Sequence, residues 1–152
     1  ERYETVELIN LGKFLETNNL IEKIDILKID TEGCEVDILS SIETYLENID
    51  VIYLEYHGKD DEEVILEILS KSHIVMQKKA NAEVPRQVSS ELIGRLCLAD
   101  VTVNGKIILR AGKNITESDI KEFQKSSVQT VKVLSDTMGE IVFLNKNIVS
   151  TD

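Results

Sequence analysis

Along the first eighty residues, apolar positions switch between strand-like and helix-like spacing. Residues 5–9 (TVELI) predict a short strand. Residues 11–19 predict a helix, with Leu11, Phe14 and Leu15 on one face and Asn18-Asn19 as its stop. Residues 23–30 (KIDILKID) predict a stronger strand. Its Ile24, Ile26, Leu27 and Ile29 fall on both faces, as in a central strand covered from both sides. Gly33 interrupts it, and Val36, Leu39, Ile42 and Leu46 then recur at helical spacing. Residues 49–57 (IDVIYLEYH) predict a second buried strand, rich in β-branched and aromatic side chains and closed by Gly58. Residues 62–71 predict an amphipathic helix on Val64, Ile65, Ile68 and Leu69, and residues 73–77 a last strand. This β-α-β-α order predicts an α/β fold, a parallel sheet with helices packed on it. The strands at 24–30 and 49–57 are expected to be parallel neighbours joined by a right-handed crossover.

The second half has a different rhythm. Residues 91–98 begin an ordered segment. Residues 99–103 and 106–110 flank Asn104-Gly105, a strong two-residue hairpin signal. After a loop at 111–114, Thr116 with Asp119 three residues on reads as a helix start. Ile120 and Phe123 carry that helix to about Lys125. Residues 130–134 and 139–144 predict two more strands. The result is a small α+β module of order β-β-α-β-β. Residues 80–90 between the halves include a polar run with the only proline, Pro85, and read as a linker. The expected organisation is residues 1–79, a linker at 80–90, and residues 91–152, packed as two units with few mutual contacts. The sheet of the first unit is expected to have an uncovered edge.

Composition narrows the class. The chain has 152 residues, 42% hydrophobic and 30% charged, which fits a soluble globular protein and excludes a wholly disordered one. Its apolar runs are too short to span a bilayer, so no membrane partner is expected. Cys34 and Cys97 match neither a disulfide framework nor a metal spacing; no metal is assigned, and a reducing, cytoplasmic setting is expected. Residues 1–79 carry 19 acidic and 8 basic residues, whereas residues 80–152 carry 9 of each. Such a balance is a poor footprint for direct nucleic-acid binding. The start at Glu1 rather than Met leads us to expect a fragment.

The α/β order gives the polar residues of the first half a place. Ligands of open parallel sheets bind beyond the carboxyl ends of the strands. Asp30, Glu32 and Glu35 fall where the first buried strand ends, and Glu55 and His57 where the second ends. Neighbouring strands would bring these groups within about 5–10 Å of one another. Together with Lys28, on the same face as Asp30, they could bind a cation, orient a hydroxyl or take a proton. Asp30 serves equally well on spacing alone as a cap for the next helix. Lys28, inside an apolar strand, is expected to pair with Asp30 or Glu55. The catalytic candidates are Asp30, Glu32, Glu55 and His57. Asp60, Asp61, Glu62 and Glu63 suit the dipole of a helix's first turn.

The run from Ile24 to Glu35 (IDILKIDTEGCE), followed by Val36, Leu39 and Val51-Ile52-Tyr53-Leu54-Glu55-Tyr56-His57, resembles the FkbM-type methyltransferases. Their hallmark is a K-I-D-x-E-G-x-E segment, preceded by a short helix and followed by a strand ending in Glu with a nearby His. The resemblance covers residues 5–79. It implies a partial Rossmann-like fold, S-adenosylmethionine as cofactor, and methyl transfer to oxygen of a sugar or other small-molecule acceptor. Cys34 stands where a small residue is common. The family's glycine-rich cofactor loop has no counterpart: Gly12, Gly33 and Gly58 form no G-x-G. Residues 1–79 are therefore expected to be the carboxyl-terminal half of such a fold, inactive alone and not binding the cofactor tightly.

Residues 91–152 resemble something else. Glu91-Leu92-Ile93-Gly94-Arg95, Val103 to Ile108, Ala111 to Thr116, Val131-Lys132-Val133, Gly139 to Val142 and Ile148 to Asp152 look like a lobe insertion of the bacterial RNA polymerase β subunit. Small β-rich modules of signalling phosphodiesterases share part of the pattern. The polymerase resemblance implies a non-catalytic segment whose partners are other polymerase subunits. This half has no His, and Cys97, in an apolar stretch, is expected to fill the core.

Overall fold

The computed structural model describes residues 3–83 and 85–149. They form two compact units, one built from residues up to Lys79 together with those from Gly139 onward, the other from Ala80 to Met138. In chain order the elements are α1 (Leu11–Thr17), β1 (Ile24–Ile29), α2 (Glu35–Ser41), a 3-10 segment (Glu43–Asn48), β2 (Ile49–Tyr56), α3 (Lys59–Leu69) and β3 (His73–Ala82). There follow β4 (Arg86–Gln87), β5 (Val101–Val103), β6 (Lys106–Leu109), α4 (Glu117–Lys125), β7 (Thr130–Val131), β8 (Leu134–Asn145) and α5 (Lys146–Val149). Among the described residues, no helix is long and apolar enough to cross a membrane.

The sheet of the first unit has the order β1-β2-β8-β3. β1 and β2 are parallel neighbours, with Ile24 opposite Ile49 and Ile29 opposite Leu54. β8 lies antiparallel to β2, with Tyr56 opposite Gly139 and Val51 opposite Leu144. The sheet is therefore mixed rather than parallel throughout. Residues 139–144, read from sequence as part of the second module, belong to the first unit's sheet, and the chain from 80 to 138 is inserted between two neighbouring strands. The physical reason is alternation. Ile141 and Phe143 are buried opposite Leu54 and Ile52, and they extend the face that already holds Ile29. The edge of β2 that residues 1–79 alone would leave open is paired along its length. Gly139 is required there: a Cβ would lie 2.6 Å from the Tyr56 hydroxyl oxygen and 2.7 Å from the Lys79 carbonyl oxygen.

One face of the sheet is covered. Leu39 and Ile42 at the end of α2, and Ile65 and Leu69 of α3, join Ile29, Ile52, Leu54, Ile141 and Phe143 in a single core. The other face of β1 is not. Ile26 is 68% exposed. β1 is an edge strand among the described residues, not the central strand its apolar content predicts. Lys28, on that open side, pairs with Asp30 at 3.4 Å and lies 6.0 Å from the centre of the Tyr53 ring. Residues 5–9 form no strand, since no neighbouring strand takes their backbone groups; Leu8 is almost fully exposed. The helical period from Val36 to Leu46 is real but not one helix. The chain tightens at Ile42, whose N–H donates to Leu39, and continues as the 3-10 segment.

The second unit has its own core of Leu92, Cys97, Val101, Ile115, Ile120, Phe123, Val131 and Val133. Asn104 (φ 49°) and Gly105 (φ 77°) turn β5 into β6 through two consecutive left-handed residues, as a tight hairpin demands. Thr116 and Asp119 exchange the two hydrogen bonds of a capping box at the start of α4. The expected linker is structured. β3 runs on to Ala82, Glu83 donates its N–H to Val133, and β4 pairs with β7. Glu83 can be buried because Arg86 and Arg95 both reach its carboxylate.

If β8 completes the first unit, Phe143→Ala costs about 3–5 kcal/mol of that unit's stability, the usual range for emptying such a site. Urea unfolding followed by circular dichroism checks it. A loss below about 1 kcal/mol would show that β8 packs only loosely there.

Candidate functional site

The β1–β2 pairing closes at Ile29–Leu54, the last residue of β1 and two short of the end of β2, so the segments that follow the two strands leave from one edge. After β1 the chain must reverse sharply into α2. Glu32 (φ 52°) and Gly33 (φ 102°) do this with two consecutive left-handed residues. Gly33 adopts the conformation freely, whereas Glu32 carries strain of about 1 kcal/mol. The reversal aims two donors at one oxygen. The Gly33 N–H donates to Glu35 Oε1 at 3.0 Å, and the Thr31 hydroxyl at 3.3 Å. Glu35, the first residue of α2, is only 1% exposed.

His57 follows the last residue of β2. Its Nδ1 lies 3.0 Å from the same Glu35 oxygen. Its Nε2 faces the other way, 3.6 Å from Glu32 Oε2 and 3.9 Å from Glu55 Oε1. Asp30, Glu55 and His57 each offer a ligand atom, all within 4.8 Å of one another. The four sequence candidates, Asp30, Glu32, Glu55 and His57, thus converge on one place. Glu32 is the exposed rim, and His57 is recessed, its side chain 12% exposed. Glu35, grouped with these acids by sequence but left out of the catalytic set, is the residue that joins the two strand ends. Its signal was available: an acid two residues past Gly33 and four past Thr31 can reach back to both.

The electrostatics follow from the same contacts. Burial pushes the Glu35 carboxyl up, but the Gly33 N–H, its own N–H and His57 outweigh it, and the group titrates below the usual carboxylate range. Burial pushes His57 down; the hydrogen bond to Glu35 and the charges of Glu32, Glu35 and Glu55 reverse this, and its pKa rises above the ordinary value. Glu35 therefore contributes stability above about pH 4.5 that is lost as pH falls through its lowered folded pKa. His57 contributes stability below about pH 6.5 that is lost as pH rises through its raised folded pKa. Both contributions are complete only between those limits.

A cleft of about 460 Å³ in the second unit is lined in part by Arg86, Glu91 and Arg95. Its two guanidiniums are already held by Glu83, and no His or Cys lines it.

A family model described as the methyltransferase FkbM domain matches residues 1–82. No solved structure matches the chain. The family match ends before the 91–152 stretch and lends no support to its resemblance to an RNA polymerase β segment.

The chain's two histidines should titrate in opposite directions. His73, buried, is pushed down by desolvation and further by Lys146, which outweigh its bond to the Ile49 carbonyl and the nearby Asp50. NMR titration of the imidazole C–H signals should place His57 above about 6.5 and His73 below it. His57 at or below His73 would contradict the geometry described.

Proposed function

Because this chain belongs to the FkbM methyltransferase family, we propose that the joined ends of β1 and β2 form the acceptor side of an S-adenosylmethionine-dependent O-methyltransferase. The acceptor is a small hydroxylated molecule such as a sugar. The observation that supports this is the orientation of His57: Nδ1 is held by a buried carboxylate and Nε2 looks out over the acidic rim. A hydroxyl placed at Nε2 can give up its proton there, which makes the oxygen a better nucleophile. Asp30, Glu32 and Glu55 accept hydrogen bonds from neighbouring hydroxyls and so orient a polyol.

S-adenosylmethionine supplies the methyl group in this family. The residues present do not fit its cradle. None of the seven glycines stands in a G-x-G arrangement, and the loop after β1 spends its Gly33 N–H on Glu35. The reading therefore concerns acceptor binding and proton transfer alone.

A second reading has one observation in its favour. The ligand atoms of Asp30, Glu55 and His57 are close enough for a single divalent cation to bridge. A cation there would acidify the hydroxyl in place of His57. Loss of turnover on chelation, restored by added Mg²⁺ or Mn²⁺, would favour it.

The test is to fuse the chain behind the cofactor-binding half of an FkbM-family enzyme and follow radiolabelled methyl transfer to a panel of sugars. His57→Ala should slow transfer about 10²–10⁴-fold. An unchanged rate, or labelling confined to nitrogen, would refute the proposal. Calorimetric titration of the chain alone with S-adenosylmethionine should show no binding; a dissociation constant near the micromolar range would mean the donor site lies within these residues.

A further inference from the structure

Glu35 is a buried acid whose ordinary explanation, favourable charge at the start of a helix, does not account for its contacts. A first-turn acid gains from the dipole while standing in water. Glu35 is instead closed off, and burying a carboxylate is costly unless donors surround it. Three polar groups converge on one of its oxygens: the Thr31 hydroxyl, the Gly33 N–H and Nδ1 of His57. Two come from its own turn and suffice to settle the local backbone. The third comes from the far end of β2, twenty-two residues on, and serves nothing in the turn.

We propose that Glu35 is the positioning residue of this site: it holds His57 in the tautomer that carries its proton on Nδ1, so that Nε2 is the nitrogen offered to the ligand. The proposal rests on the reading that His57 works through Nε2, and it holds whether that nitrogen takes a proton or ligates a cation. A neutral imidazole has one donor nitrogen and one acceptor. A carboxylate accepts and cannot donate, and Glu35 lies within hydrogen-bond distance of the ring at 3.0 Å whereas Glu32 and Glu55 stand off at 3.6 and 3.9 Å, so the nitrogen facing Glu35 must be the donor. The lone pair is thereby placed on Nε2, which faces Glu32 and Glu55. The same logic orients metal-binding histidines through a carboxylate behind them. Glu32's left-handed backbone becomes intelligible as well. The strained turn brings the Gly33 N–H onto Glu35 and fixes the carboxylate's own direction.

The test is long-range ¹H–¹⁵N NMR of the whole chain at a pH above the observed His57 titration, where the ring is neutral. Wild type should show His57 protonated on Nδ1. Glu35→Met, similar in length but without an acceptor, should abolish that preference. Glu35→Gln, whose amide can accept or donate, removes the charge and should lower the His57 pKa. A purely structural Glu35 would lower the melting temperature on substitution and leave the tautomer unmoved. Wild-type His57 protonated on Nε2, or an unmoved tautomer in folded Glu35→Met, would overturn the proposal. If Glu35→Met does not fold, the wild-type tautomer and the Glu35→Gln shift decide it. None of these readouts needs methyl transfer. A correct tautomer with no turnover in the fusion enzyme would count against the acceptor-side function and leave the positioning role standing.

Discussion

The buried carboxylate of Glu35 is the contact on which the rest of the site depends. One oxygen receives the backbone of the turn after β1, a hydroxyl from that turn, and Nδ1 of His57 from the end of β2. Parallel strands end near each other by geometry alone, but their following loops are free to diverge. The Glu35–His57 contact prevents this. It converts two neighbouring strand ends into one constellation in which Asp30, Glu32, Glu55 and His57 face the same volume.

That constellation needs a rigid floor, and the floor is completed from far along the chain. β8 pairs with β2 over residues 51–56, and its Ile141 and Phe143 fill the covered face. Asn145, at its end, donates to the carbonyls of Glu47 and Ile49, where β2 begins. β2 is thus held from its first residue to its last before His57 leaves it. The residues from 80 to 138 interrupt this sheet between β3 and β8 yet keep a separate core, so an insertion of this size is accommodated without removing a strand.

What could be read in advance was whatever local chemistry decides. Asn104-Gly105 can adopt two left-handed conformations in succession, and the hairpin is there. Thr116 and Asp119 can satisfy each other's backbone groups, and the capping box is there. The parallel pairing of β1 with β2 follows from their apolar runs, the helix between them and the rules for such crossovers. The missing parts are all non-local. Nothing within residues 139–145 says which sheet they join, because alternation specifies a face and not a partner. Ile26 reads as buried because its neighbours are apolar, but burial depends on what lies across the sheet. Glu35 looks like any acid at a helix start until the end of β2 is placed beside it.

The central claim is that Glu35 and His57 act as one unit, and a double-mutant cycle measures that coupling directly. Glu35→Gln, His57→Gln and the double variant would be unfolded in urea at about pH 5.5, between the two limits at which each contribution is complete. The account predicts a coupling of about 1.5–3 kcal/mol, the range of a hydrogen bond to a charged group, that shrinks as the pH is raised through the His57 titration. Additive single substitutions, with no coupling at any pH, would contradict it.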